Sequence, residues 1–171
     1  MWHTISFFKF MYIKRIAVFL IFAMLSCFTV SVYAQKVKQN SQQSSAQIAQ
    51  EIFKLVNKHR QKVGLKPLKQ NDAVAKIAES HSRNMAKGDV PFGHDGFEER
   101  AAQLKKQFKK MGGTAENVAY STRDAQSVVE MWLNSKGHRK NIEGNYTMSG
   151  ISVVQGGDGQ RYYTQIFLKN P

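Results

Sequence analysis

The sequence predicts an α+β fold in which helices are layered on a central antiparallel sheet. Two observations predict it. Four segments through the middle of the chain repeat apolar residues at helical spacing, and two short β-rich runs around a glycine-rich turn close it. Length sets the scale, because 171 residues hold one domain of ordinary size plus a leader.

The leader comes first. Residues 16–34 carry no charge, follow Lys14 and Arg15, and end in Val32, Tyr33 and Ala34 before Gln35. A basic stretch, an apolar stretch and a cleavage site in that order predict a signal peptide over residues 1–34 and a secreted product. An uncleaved anchor is the alternative, since the apolar run is just long enough to cross a bilayer, and membrane contact would then run through the leader alone. The single cysteine, Cys27, lies in this leader, where Met24-Leu25-Ser26 before it fits a lipidation box poorly. After cleavage no disulfide can form, so the domain must rest on its core.

Residues 35–47 are polar and rich in Gln and Ser, which predicts a flexible linker before a domain spanning residues 48–171. The first helix is expected over residues 46–63, with Ile48, Ile52, Leu55, Val56, His59 and Val63 at helical spacing and Gly64 and Pro67 beyond its end. A second begins at Asn71 and Asp72, buries Val74, Ile77, Ala78, His81 and Met85, and stops at Gly88. A third is expected after Asp95, with Glu98 completing a capping box, and runs to about Lys110. Gly112 and Gly113 break the chain. Ser121 or Thr122 is expected to cap a fourth helix with the face Ala125, Val128, Val129 and Trp132, ending before Gly137. Residues 150–155 and 161–168 read as strands of a hairpin turned by Gly156, Gly157, Asp158 and Gly159.

Hydrophobic residues make up 42% and charged residues 22%, which excludes wholesale disorder. The formal net charge is +13. Three of the cations lie in the leader and every acidic residue lies after it, so the chain from Gln35 keeps 22 cations against 12 anions. Such a surface attracts polyanions, among them acidic wall polymers, although net charge alone does not choose a partner. Nucleic acid is not expected, because the leader argues against it. A monomer is expected.

The motifs carry a resemblance. Residues 57–68 (NKHRQKVGLKPL), Gly93-His94, residues 116–119 (ENVA), residues 128–142 (VVEMWLNSKGHRKNI) and residues 162–167 (YYTQIF) stand in the order of the signatures of the CAP superfamily. That group includes the cysteine-rich secretory, antigen 5 and plant pathogenesis-related proteins. The resemblance covers about residues 48–168 and is closest to the family's bacterial branch. It implies a three-layer α-β-α sandwich with a cleft on one side, lined in the family by two histidines and two glutamates. His94 matches the first histidine and Glu116 the first glutamate. Ser135 and Tyr162 stand at the other two places, which puts the family's four-residue metal site in doubt, and His138 looks like the bacterial substitute that reaches the same cleft.

Two imidazoles and a carboxylate are the ligand types of a zinc site with an open position, so His94, Glu116 and His138 are the candidate ligands of a divalent metal such as zinc. The alternative is a hydrogen-bonded network with both histidines bonded to Glu116. His59 and His81 lie on apolar faces and are expected in the core or at its boundary. Residues 105–110 (KKQFKK) read as a solvated helix face. No HExxH, P-loop, GxSxG or dinucleotide fingerprint is present. The expectation is a binding module acting outside the cell, its cleft of His94, Glu116, His138, Ser135 and Tyr162 taking a small apolar or wall-derived ligand. The alternative is a metal-assisted hydrolase using His94, Glu116 and His138.

Overall fold

The computed structural model describes residues 43–170. The expected signal peptide and most of the expected linker lie outside them. Among the described residues no helix is long and apolar enough to cross a membrane.

Five helices and four strands follow one another as α1 (Ser45–Lys62), β1 (Lys69–Gln70), α2 (Asp72–Lys87), α3 (Phe97–Gln107), β2 (Gly113–Ser121), α4 (Ala125–Asn134), α5 (Lys136–Ile142), β3 (Met148–Gln155) and β4 (Arg161–Lys169). The sheet order is β1-β3-β4-β2, antiparallel except for the short parallel pairing of β1 with β3. The α+β class and the helix-covered sheet are as the sequence predicts.

Helix α1 starts inside the expected linker because Ser44 and Gln47 form a capping box, each side chain meeting the other's backbone N–H. Its apolar stripe, Ile48, Ile52 and Val56, packs with Val128, Val129 and Trp132 of α4 on Ile151, Val153, Tyr163 and Phe167 of the sheet. On the opposite face, Val74, Ile77 and Ala78 of α2 and Leu104 of α3 pack on Ile166 and Leu168. Strand alternation sends odd and even positions of β4 into these two cores. Helix α2 lies so close to β3 that a Cβ on Gly150 would stand 2.1 Å from the Ala75 backbone nitrogen, so only glycine fits there.

Helix α3 ends at Gln107, short of the expected Lys110, with Phe108 packed against the second core, so residues 108–110 are not part of a helix face. Three other boundaries differ from expectation, each for a local reason. Helix α3 opens after Gly96, whose φ of 76° is left-handed, and no side chain caps it. The expected capping box at Asp95 is therefore not formed. Helix α4 is capped by Asp124, which accepts from the Ser127 N–H at 2.9 Å, and neither Ser121 nor Thr122 fills that role. Gly137 does not end a helix, because it lies inside α5 after a one-residue break at Ser135. Strand β2 is an edge, and α4 and α5 cover it. Trp132 is fully buried and its Nε1–H donates to the Val118 carbonyl at 3.2 Å, while Asn141 Nδ2 donates to the Glu116 carbonyl at 3.0 Å. These side chains serve the strand where a neighbouring strand would.

Candidate functional site

Glu116 sits mid-strand on β2, on the same sheet face as Ile166, and its side chain is 1% exposed. Burying a carboxylate is costly unless it is paired. Arg100 of α3 supplies the pairing with a two-pronged contact, Nε to Oε2 at 2.8 Å and a terminal nitrogen to Oε1 at 2.7 Å. His94, from the loop before α3, places Nδ1 2.9 Å from Glu116 Oε1. With a carboxylate as acceptor, that nitrogen carries the hydrogen. Arg100 also donates to the Asp95 carbonyl at 2.8 Å, which holds the His94 loop against the helix. Burial alone would raise the Glu116 carboxyl, but the hydrogen bonds from His94 and Arg100 outweigh it and hold the group below the ordinary carboxylate range.

His81 of α2 closes the cluster from beneath. Its Nε2 lies 2.8 Å from the Gly93 carbonyl and 3.9 Å from Glu116 Oε1. The first is a hydrogen bond and fixes the hydrogen on Nε2. The second is too long for one and would count as an ion pair only with a charged ring. Burial foremost, with help from the Arg100 charge, lowers the His81 value, so the neutral ring is favoured. His81 is thus the core histidine its position predicts, and it also supports the His94 loop.

The sequence-predicted residues separate here. His94 and Glu116 are joined. His138 lies on α5, where Asn117 Nδ2 donates to its backbone carbonyl at 3.1 Å. Its ring stands 6.4 Å from that of Trp132, and its Nδ1 is buried with no hydrogen-bond partner among the described residues. With no acceptor beside Nδ1, the ring hydrogen belongs on Nε2. Burial first, then the His94 charge, lowers its value. Ser135 is the hinge between α4 and α5, its N–H bonded to the Trp132 carbonyl at 3.2 Å. Tyr162 Oη donates to Asp158 Oδ2 at 2.8 Å, away from Glu116. Its ring stacks with Tyr120 at 6.3 Å, and Tyr120 meets the edge of Phe92 at 4.8 Å.

The expected zinc ligands do not fit a metal. Among the described residues no three His, Cys, Asp or Glu side chains are grouped so as to hold an ion. Both Glu116 oxygens are already engaged by Arg100 and His94, which leaves a carboxylate neutralised by a guanidinium instead of one offered to a cation. The expected network with both histidines on Glu116 is half realised, because His94 is bonded to it and His138 is not.

Arg100 is the residue that sequence reading missed. In FEERAAQLKKQ a charged side chain reads as solvated, yet Arg100 shares an i, i+4 stripe with the buried Leu104. That spacing was the available signal.

A helix-covered antiparallel sheet with a His-Glu pair at its edge strand defines a domain of the SCP type. The sequence model of the cysteine-rich secretory protein family, CAP, matches residues 53–167, and the chain belongs to this family. It is 36% identical over 120 residues to the uncharacterised protein YkwD of Bacillus subtilis (strain 168), covering 68% of this chain and 45% of that protein. It is 34% identical over 125 residues to the uncharacterised membrane protein YlbC of the same organism, covering 70% and 34%. The chain thus spans less than half the length of the curated relatives it matches. Among solved structures, it superposes with a TM-score of 0.63 and 29% identity on an extracellular protein containing an SCP domain from Bacillus anthracis, covering 74% of this chain and 41% of that one. A cysteine-rich secretory protein from Staphylococcus aureus gives 0.62 and 29%, covering 75% and 40%. An outer surface protein from Borrelia burgdorferi, at 18% identity and a TM-score of 0.63 over 75% of this chain and 97% of that one, shares the fold.

Proposed function

We propose that this chain is a secreted CAP-domain protein that works outside the cell as a binding module, with a small apolar or wall-derived ligand seated over His94. The location is supported by the leader pattern and by similarity to relatives described as extracellular and as secretory. The observation that carries the binding reading is the state of His94. Its side chain is 50% exposed while its partner Glu116 is 1% exposed. Nδ1 is committed to Glu116, so Nε2, across the ring, is the atom left for a ligand. Phe92, two residues before His94, and Tyr120, on the same sheet face as Glu116, are both exposed and pack on each other. A fixed polar atom beside exposed aromatic surface suits a ligand with one polar and one apolar part.

In the hydrolytic alternative the same geometry gives the role of base to His94 Nε2 and not to Glu116. A general base must have a lone pair free to take a proton. Glu116 spends its oxygens on Arg100 and His94, so it positions the imidazole and is a poor base itself.

The test is a titration of the isotope-labelled protein, followed by amide chemical shifts, with soluble muropeptides in one arm and a long-chain fatty acid in the other. One arm should shift residues 92–94, 116–120 and 162, and His94→Ala should weaken that binding about tenfold, a loss of about 1.4 kcal/mol. Shifts confined to another face, or none in either arm, would overturn the reading. Protein recovered from the medium should begin at Gln35, and full-length chain held in the membrane would overturn the secreted part.

A further inference from the structure

A concave site elsewhere in the fold shares no lining residue with the group around His94. A cleft of about 680 Å³ opens between the turn after α1 and residues 143–147. Its lining carries four cations, Arg60, Lys66, Lys69 and Lys169, against one carboxylate, Glu143. That carboxylate is already engaged by His59 at 2.8 Å. Arg60 is 2% exposed, and its guanidinium donates only to backbone carbonyls, those of Lys66, Ile142, Gly144 and Tyr146. Among the described residues neither Arg60 nor the three lysines stands within ion-pair distance of a carboxylate. A buried guanidinium cannot shed its proton, so the cleft keeps an excess of positive charge on low-dielectric walls, which focus the field outward.

We propose that this cleft is an anion site that takes a phosphodiester polymer. The cations are spread over the turn, β1 and the end of β4, and the cleft is larger than a single inorganic anion needs. This arrangement suits an extended chain of single charges. A guanidinium fork matches carboxylate and phosphate alike, and the fork of Arg60 is spent on carbonyls. What remains are lysine ammonium groups, point charges that serve phosphate oxygens well. Single-stranded nucleic acid would gain further affinity by stacking its bases on exposed aromatic rings. The lining aromatic, Tyr146, is half-buried and packs 5.7 Å from the ring of Phe167. The proposal rests on the extracellular reading for where such a polymer is met, and it does not involve His94.

The test uses a fluorescently labelled glycerol phosphate oligomer and the purified protein, read by anisotropy at several salt concentrations. Binding should weaken as salt rises. The triple variant Lys66→Ala, Lys69→Ala, Lys169→Ala should bind about tenfold more weakly. A variant with the same loss of charge elsewhere, Lys54→Ala, Lys105→Ala, Lys106→Ala, should stay within about twofold of the parent. His94→Ala should bind like the parent, which separates failure of this site from failure of the His94 cleft. Equal losses in both triple variants, tighter binding of oligothymidylate or polyglutamate, or dependence on His94 would each overturn the proposal.

Discussion

Two arginines are buried in this domain, and they solve the same problem in different ways. Arg60 has only carbonyl partners, drawn from the turn after α1 and from the end of α5 and the loop beyond it. Arg100 has a carboxylate, Glu116, and beyond it a half-exposed histidine. The first guanidinium ties chain segments together, and at the Ile142 carbonyl it meets the negative end of α5. The second neutralises an acid whose remaining contact faces the surface. The difference teaches that a buried cation poises another side chain for a ligand only when its partner passes the interaction outward, whereas Arg60 adds charge to its cleft without orienting a group there.

Removing each arginine should show the contrast. Arg60→Met should cost the more, roughly 4–5 kcal/mol of unfolding free energy, because several buried carbonyls lose their donor together. Chemical denaturation measures this, and a loss under about 1 kcal/mol would mean that water replaces the guanidinium. No single second substitution should restore the loss, since the acceptors belong to the backbone.

Arg100→Met should cost about 3 kcal/mol, because it strands a carboxylate in the interior. Here a second substitution should help. Glu116→Gln in the Arg100→Met background removes the stranded charge and should recover at least about 1 kcal/mol. Additive losses in that cycle would show that Arg100 and Glu116 are not coupled and would dissolve the comparison.

How much of this was legible follows from the range of the interactions. Helices α1 and α2 repeat apolar residues at helical spacing, and Asn71 caps α2 as its residue type predicts, accepting from the Val74 N–H at 3.1 Å. The hairpin of β3 and β4 is legible because Gly159 takes a left-handed φ of 80° at the turn. Strand β2 is less so. Residues 115–119 are all buried, and a strand covered on both faces does not alternate, so GTAENVAYS shows only a break followed by an extended segment. Helix α5 is hidden by Gly137, which tertiary packing overrides. At the site, His94 and Glu116 were found through family order. Arg100 was not, because its meaning depends on a partner in another element, and no local pattern marks a charge that is buried only once the sheet has formed.

The smallest expected effect is a change in pH profile, and it separates the two arginines most sharply. His81 and His138 both have values lowered from 6.5, chiefly by burial. The unfolded chain therefore takes up protons on these rings at a higher pH than the folded chain does. Stability should be full above that value and should fall as pH drops through it, by at most about 1.4 kcal/mol per pH unit for each ring. Glu116, lowered from 4.5, has the same sign, since its stabilisation is present above the unfolded value and is lost as pH falls toward the folded one. Thermal unfolding from about pH 8 to about pH 3 should show the histidine decline first and the carboxylate decline after it. His81→Gln can keep a hydrogen bond to the Gly93 carbonyl and should make the first decline shallower. Arg60→Met should lower the whole curve without changing its shape, because no titrating partner is lost. Arg100→Met should change the shape, since a stranded Glu116 prefers to be protonated, so the carboxylate decline below pH 4.5 should vanish and stability should instead rise as pH falls toward 4.5 from above. Parallel curves for the two arginine variants would show that the guanidinium at Glu116 is a clamp like the one at Arg60, with no electrostatic tie to the histidine above it.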